Sequence, residues 1–197
     1  MKIGVPSEIK AQESRVGLTP QSVQQLTNHG HEVLVEKNAG LGAGFENADY
    51  EKAGAKIASS AADVFNDSDM IVKVKEPQSE EVNMLRENQI LFTYLHLSAA
   101  PELTKGLVDS KSICIAYETV TDENNRLPLL APMSAVAGRM SIQAGAHCLE
   151  KPQGGRGLLI GGAPGVNPGN VLILGGGVVG ENAATIATGM EAKVHIV

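Results

Sequence analysis

The sequence has few aromatic residues: phenylalanine, tyrosine and tryptophan together make up 3% of its 197 residues, and tryptophan is absent. This scarcity argues against a single-strand nucleic-acid binder, because such proteins stack bases on aromatic side chains. Positive charge is scarce as well, since 16 lysines and arginines stand against 22 acidic residues and the formal net charge is −6. An acidic chain repels polyanions, so we expect no nucleic-acid partner and no anionic-membrane partner.

Cysteines and long apolar runs are also few. Cys114 and Cys148 stand among apolar neighbours without metal or redox spacing, so we expect two buried free thiols in a reducing compartment and no metal site. No apolar run approaches the ~18 residues of a bilayer-spanning helix. Pro6 and Glu8 come too early for a secretory signal, so we expect a cytoplasmic protein with no membrane association.

Short apolar runs alternate with helical patterns over the first two-thirds of the chain, which is typical of a parallel α/β sheet. Thr19 as N-cap and Pro20 at the first helical position predict a helix that ends at Gly30. Further helices are predicted at 49–53, 61–66 and 101–110. The predicted strands are Lys2–Pro6, Glu32–Glu36, Met70–Val74, Ile90–Leu95 and Ser112–Ala116.

The composition changes after Leu127-Pro128-Leu129. A long helix rich in small residues is predicted at 134–150, and the loop that follows, Lys151–Asn170, contains seven glycines. We therefore place a domain boundary between about residues 125 and 135. The sequence predicts an N-terminal parallel-sheet substrate domain over 1–130 and the start of a dinucleotide-binding Rossmann domain over 131–197.

A glycine motif of the form G-x-G-x-x-G stands between a predicted strand, Val171–Leu174, and a predicted helix, Glu181–Met190. The three glycines suit a tight turn, a close approach of backbone to pyrophosphate, and close packing of helix on strand. The N-terminus of the helix adds N–H groups and a positive dipole end. The alternative is a tight turn that only allows close packing. We expect a dinucleotide to bind at Gly175, Gly177, Val178, Val179 and Gly180.

The second strand of this unit, Lys193–Val197, ends the sequence. An acidic residue for the adenine ribose is expected ~20 residues after the glycines, at the end of that strand, and a doubly wound domain needs several more strands. We therefore expect the chain to be the truncated front part of a larger protein. The rival interpretation is a non-catalytic nucleotide-binding or assembly fragment.

Charged side chains follow several predicted strands, and ligands of open parallel sheets bind beyond the carboxyl ends of strands. Arg15 follows the first strand, Lys73 and Lys75 share one face at the end of another by the period of two, and His96 leaves a strongly apolar strand. A guanidinium, an ammonium and an imidazole suit a small carboxylate substrate. Taken alone, His96 is more often a core histidine, Lys75 a solvated strand end and Arg15 a surface residue.

Glu118 also follows a predicted strand, and two interpretations of it stay open. It either belongs to the same crevice or only pairs with a basic side chain. The other histidines show no metal-ligand spacing and are interpreted as structural or exposed: His29, His31, His147 and His195.

With these motifs in order and at matching spacing, the whole chain closely resembles the alanine dehydrogenases. The motifs that carry the resemblance are Gly4-Val5-Pro6 with Glu8, Arg15–Pro20, Lys73–Pro77, Leu91–Leu97, Tyr117–Val120, Leu130–Ser134 with Ala137-Gly138-Arg139, and the glycine loop. The resemblance implies an NAD-dependent oxidoreductase of amino-acid catabolism that reversibly deaminates L-alanine to pyruvate and ammonia, and a homo-oligomer, commonly a hexamer.

The resemblance also implies individual roles. Arg15 and Lys75 would hold the substrate carboxylate and carbonyl, with Lys75 and His96 as the catalytic pair and His96 the acid/base group. Met133 would line the substrate pocket with Tyr94, and Ser134 would contact the cofactor. The later aspartate and the returning C-terminal segment of the family are not within these 197 residues. The nearest rival family is the nucleotide-binding subunit of proton-translocating transhydrogenase, which resembles this chain less around His96.

Overall fold

A computed structural model describes all residues from 1 to 197 and shows two compact units, Met1–Val120 and Thr121–Val197. The sequence places the boundary at residue 130, ten residues later than this division (130 − 120). An exposed turn accounts for the offset: the Asp122 carboxylate accepts the N–H groups of Asn124 and Arg126, and Leu127 leads into the next helix. The units are described separately below.

The first unit is built on one six-stranded parallel sheet with the strand order β3-β2-β1-β4-β5-β6. Register is well defined by pairs such as Ile3 with Val33 and Gly4 with Ile71. The sequence identified five of these strands to within two residues at each end. It missed β3, because three residues are too few to show a period. The strands are β1 Lys2–Val5, β2 Glu32–Glu36, β3 Lys56–Ala58, β4 Met70–Val72, β5 Ile90–Thr93 and β6 Ile113–Ala116.

Five helices connect these strands: α1 Pro20–Asn28, α2 Asn47–Lys52, α3 Ala61–Asp67, α4 Ser79–Val82 and α5 Pro101–Ser110. The predicted start of α1 is confirmed, because the Thr19 hydroxyl accepts the N–H of Ser22 at 3.3 Å and Pro20 is the first helical residue. Gly30 follows with φ +80°, a left-handed conformation that glycine adopts without strain. The sequence missed α4, which is a single turn.

Helices pack on both faces of the central strands of this sheet, so these strands are apolar on both sides. One core cluster contains Val5, Val23, Val35 and Tyr50, and another contains Val64, Phe65, Ile71, Leu91 and Leu107. On the edge strand β6 one face is exposed, at Ile113 and Ile115. Because apolar packing fills both faces of the central strands, their carboxyl edge is where polar side chains can gather.

The second unit contains a βαβ segment: β7 Asn170–Ile173, α7 Val178–Gly189 and β8 Lys193–Ile196, with β7 and β8 parallel. The 18-residue helix α6, Ala131–Cys148, packs on α7. Gly138 allows this close packing, because a Cβ there would overlap the carbonyl oxygen of Val179. Ile142, Ile173, Ala183 and Ala187 form the small core.

The cysteine prediction is wrong in part. Both thiols are free, but Cys148 is exposed and Cys114 is only half-buried. The core face of α6 carries Gly138 and Ile142, one turn apart, whereas Cys148 stands six residues after Ile142 and so lies on a different face of the helix. None of the helices is both long and apolar enough to cross a bilayer.

Candidate functional site

The predicted substrate residues of the first unit lie at one edge of its sheet. Arg15 follows β1, Lys75 follows β4, and Tyr94 and His96 follow β5. These three strands are neighbours in the order β1-β4-β5 and are parallel, so their carboxyl ends meet at the same edge. The topology therefore brings together cationic, phenolic and imidazole side chains that lie up to 81 residues apart in the sequence (96 − 15).

Arg15 is held by the carboxylate of Glu13, a contact that the sequence did not predict. Its Nε donates to Oε1 of Glu13 at 2.8 Å and its Nη2 donates to Oε2 at 2.5 Å, while its backbone N–H donates to Oε1 at 2.9 Å. This two-pronged pair lowers the pKa of Glu13 from 4.5 to about 2. A guanidinium has five N–H donors, and Glu13 uses two of them to orient the side chain.

Lys73 and Lys75 have different surroundings, although the sequence predicts that they share one face at the end of the strand. Strand β4 ends at Val72, before both lysines. The Lys73 side chain is 1% exposed and pairs with Glu81 at 2.6 Å and with Glu8 at 3.3 Å. Lys75 is half-buried, and its backbone N–H donates to Glu8 at 3.3 Å. Lys73 is thus enclosed in the protein, and Lys75 is the cation of this pair that solvent and ligands can reach.

Three aromatic rings pack together at the same edge of the sheet. The rings of Tyr94 and His96 are nearly parallel, at 17°, with centroids 6.0 Å apart, and Tyr117 packs edge-on against Tyr94 at 4.9 Å. Burial raises the pKa of the Tyr94 and Tyr117 hydroxyls, so both remain neutral donors near pH 7. Tyr94 therefore presents an uncharged phenol next to the imidazole.

His96 is exposed, so the interpretation of this residue as a core histidine is wrong. It has left-handed backbone, with φ +50°, which is unusual for a residue other than glycine. The Glu118 carboxylate accepts the N–H of Leu95 at 3.1 Å and that of His96 at 2.8 Å. Of the two roles left open for Glu118, membership of the crevice is the one the structure favours, and its partners are backbone groups.

The predicted cofactor residues line one cleft of the second unit, with a volume of about 470 Å³. Gly175 has φ +95°, and a Cβ on Gly180 would overlap the Gly175 carbonyl oxygen, so both positions require glycine. Gly177 is the N-cap of α7, and a Cβ there would meet no atom within 4 Å. The cleft is lined by Ser134, Gly175, Gly177, Val178, Val179 and Gly180, with apolar residues of β7 and α6.

This cleft suits a phosphate group. The first N–H groups of α7, from Val178 to Gly180, have no partner within the helix, and the positive end of its dipole faces the same space. The open space at Gly177 leaves room for an anion to approach the backbone. Met133, the remaining predicted substrate residue, is half-buried in the first turn of α6 in the second unit.

The sequence did not predict site roles for two acidic residues, although their positions contain a usable signal. Glu8 and Glu13 follow β1 as Arg15 does. The rule that ligands bind beyond the carboxyl ends of parallel strands therefore applies to both of them. No signal in the sequence indicates that Glu8 contacts the backbone of residues 74 and 75, because that contact spans 66 residues.

The parallel sheets, together with the strand–glycine turn–helix of the second unit, define a Rossmann-type α/β protein. The alanine dehydrogenase/PNT N-terminal domain family matches residues 4–137, and the alanine dehydrogenase/PNT C-terminal domain family matches residues 141–197. The chain belongs to the alanine dehydrogenase/PNT family. Similarity to this family covers both units, as the sequence motifs predicted.

Individual relatives of the chain agree with this family assignment. An alanine dehydrogenase of Halomonas elongata is 58% identical over 196 residues, and one of Bacillus subtilis is 57% identical over 197; they match 100% of this chain but 53% and 52% of their own lengths. The chain thus spans about half the length of these curated relatives. A solved L-alanine dehydrogenase, 56% identical, superposes with a TM-score of 0.92 over 100% of this chain and 54% of its own. A transhydrogenase from Sinorhizobium meliloti, at 24% identity and a TM-score of 0.81, shares the fold.

Proposed function

We propose that the protein carrying this chain is an NAD-dependent L-alanine dehydrogenase, which reversibly converts L-alanine to pyruvate and ammonia. The observation that carries the proposal is the set Arg15, Lys75 and His96 at one sheet edge, in a chain 58% identical to a relative named alanine dehydrogenase. A small 2-oxo acid offers its carboxylate to one cation, and its carbonyl oxygen to a second cation and to a proton donor. This chemistry matches the side chains at that edge.

The two cations would divide the recognition of the substrate. Arg15, oriented by Glu13, provides planar N–H donors for the carboxylate, and Lys75 provides a point charge for the carbonyl oxygen. Holding both groups fixes the α-carbon, so that its C–H bond faces one direction. The Tyr94 ring would line the substrate pocket at the sheet edge of the first unit, and Met133, in the second unit, is the further residue proposed to bind substrate.

His96 would act as the acid and base. Its imidazole is exposed, so it can exchange protons with water, and an imidazole can both donate and accept a proton. It would take a proton from the attacking water and return one as ammonia leaves. The Glu118 contacts hold the backbone from which this ring projects. Lys75 assists by stabilising negative charge on the substrate oxygen.

NAD would be held at the glycine turn, and when bound it supplies the hydride acceptor. Ser134, Gly175, Gly177, Val178, Val179 and Gly180 line the cleft, and the N–H groups of α7 suit its pyrophosphate. We also propose that the protein forms a homo-oligomer, commonly a hexamer in enzymes of this kind. Its proposed location is the cytoplasm.

The test is alanine-dependent formation of NADH by the complete protein that carries this sequence, followed by absorbance, with pyruvate and ammonia driving the reverse reaction. Absence of both reactions, with hydride exchange between NADH and a second nicotinamide nucleotide, would favour the transhydrogenase alternative. Binding of NADH with no turnover of any kind would favour the non-catalytic nucleotide-binding alternative.

A further inference from the structure

A buried group of three charges lies behind the proposed substrate site. The side chains of Lys73, Glu8 and Glu81 are 1%, 2% and 2% exposed, and the Lys73 ammonium lies 2.6 Å from Glu81 and 3.3 Å from Glu8. Glu81 stands in α4, where its other oxygen accepts the N–H of Gln78 at 2.8 Å. None of these three side chains can reach a substrate in solvent, so their role must be exerted through other residues.

Glu8 is the member of this group that connects two segments of the site. Its Oε1 accepts the N–H of Val74 at 2.6 Å, and its Oε2 accepts the N–H of Lys75 at 3.3 Å. Glu8 itself belongs to the segment between β1 and α1, which also carries Glu13 and Arg15. One carboxylate therefore joins the backbone that bears Arg15 to the backbone that bears Lys75.

The connection is rigid for electrostatic reasons. A carboxylate away from water needs a cation and hydrogen-bond donors, and here Lys73 supplies the charge while two N–H groups supply the bonds. Any displacement of Val74 or Lys75 from Glu8 would leave buried polar groups unpaired. The protein thus resists changes in the separation between the two segments.

We propose that Glu8 is a positioning residue that sets the separation of Arg15 and Lys75, and with it the size of carboxylate substrate that both cations can hold together. This inference rests on the proposed function, because it takes those two cations as the substrate-binding pair. Lys73 and Glu81 hold the Glu8 carboxylate in place. A displacement of about 1 Å at such a site is enough to reduce turnover by about a hundredfold.

Glu36, the last residue of β2, offers a matched control that binds the same segment. Its carboxylate accepts a backbone N–H from the stretch after β1, that of Ser7 at 2.7 Å. A Glu8→Gln variant places an amide NH₂ where Glu8 faces the Lys73 ammonium or a backbone N–H, so at least one of its contacts is lost. A Glu36→Gln variant loses the charge of a backbone-capping carboxylate but removes no group that accepts the N–H of Val74 or Lys75.

The experiment compares the two variants in the complete protein. We expect Glu8→Gln to raise the KM for pyruvate by about tenfold or more and to leave the KM for NADH within about twofold, because only the substrate cations move apart. We expect Glu36→Gln to leave both KM values within about twofold. Amide hydrogen exchange at Val74 and Lys75 is measured in parallel, and we expect it to accelerate in Glu8→Gln alone.

Each outcome decides a different question. The positioning role would be overturned if the KM for pyruvate changed equally in Glu8→Gln and Glu36→Gln. It would also be overturned if amide hydrogen exchange at Val74 and Lys75 were unchanged in Glu8→Gln. If the unaltered protein fails to reduce pyruvate, the proposed function fails, and the exchange measurement still decides whether Glu8 fixes the Lys75 backbone. If Glu8→Gln does not fold, Glu8→Asp retains the charge beside Lys73 with a shorter reach, and the same two readouts apply to it.

Discussion

At the scale of single residues, the proposed acid/base group depends on an unusual backbone. His96 has φ +50° directly after β5, and left-handed conformations in residues other than glycine cost free energy that the surroundings must offset. The two hydrogen bonds that Leu95 and His96 donate to Glu118 provide that support. The imidazole is thereby projected from the sheet edge, while Leu95 stays in the core.

Replacing this imidazole tests its role. We expect His96→Ala in the complete protein to lose at least about a hundredfold in turnover while NADH binding is retained, because general acid–base catalysis contributes on that order. Lys111→Ala is the control, since Lys111 is exposed and also left-handed, with φ +55°, but lies at the end of α5. Normal turnover of His96→Ala in steady-state assays would show that the assigned role is wrong.

The second cation is tested in a similar way. Lys75→Ala removes the point charge from the substrate oxygen, so we expect the KM for pyruvate to rise and kcat to fall together, each by about tenfold or more. Lys37→Ala is the control, because Lys37 also follows a strand, β2, but is exposed. An unchanged dependence of rate on pyruvate concentration would remove Lys75 from the site.

The Arg15–Glu13 pair makes a prediction about pH. The guanidinium lowers the pKa of folded Glu13 from 4.5 to about 2, so the folded state keeps this carboxylate ionised where the unfolded chain binds a proton. The stabilisation is therefore complete above pH 4.5 and is lost as the pH falls toward 2. We expect the difference in melting temperature between the unaltered protein and Glu13→Gln to shrink over this range. A difference that does not depend on pH would contradict the pairing.

At the scale of elements, the turn between β7 and α7 is fixed by backbone contact. Gly180→Ala would push a methyl group into the Gly175 carbonyl, and we expect it to destabilise the second unit by about 1–3 kcal/mol and to weaken NADH binding. Gly189→Ala, in the last position of the same helix with open space around it, should instead stabilise by about 0.5–1 kcal/mol. Thermal unfolding with and without NADH distinguishes these results, and equal effects of the two substitutions would contradict the packing argument.

At the scale of the whole molecule, the two units are joined by an exposed segment. Residues 121–126 are all exposed and lie outside helices and strands, and Arg126 is the one trypsin site among them. We expect limited trypsin digestion to cut first after Arg126, because proteases select exposed loops with little buried backbone. Mass spectrometry identifies the fragments, and an Arg126→Gln variant should lose that first cut. A first cut before residue 121 or after residue 127 would contradict the division at residue 120.

The sequence predicted most of the elements because long, well-capped patterns leave little choice. Pro101–Ser110 was predicted to the residue, and Thr19-Pro20 marked the start of α1, since caps and proline act locally. Lys56–Ala58 and Ser79–Val82 were missed because three or four residues cannot display a period. Cys148 was misplaced because apolar neighbours in sequence lie on different faces of a helix.

Several features were determined by the sequence alone: the α/β class, the glycine turn and the positions of Arg15, Lys75 and His96 after strands. These depend on local preferences and on the rule that parallel strands end at one edge. Tertiary structure decided that Lys73 is enclosed between two carboxylates, that Glu13 holds Arg15, and that Glu8 and Glu118 hold the backbone of Lys75 and His96. Most of these contacts join segments far apart in the chain, and in all of them burial and geometry determine which charges pair.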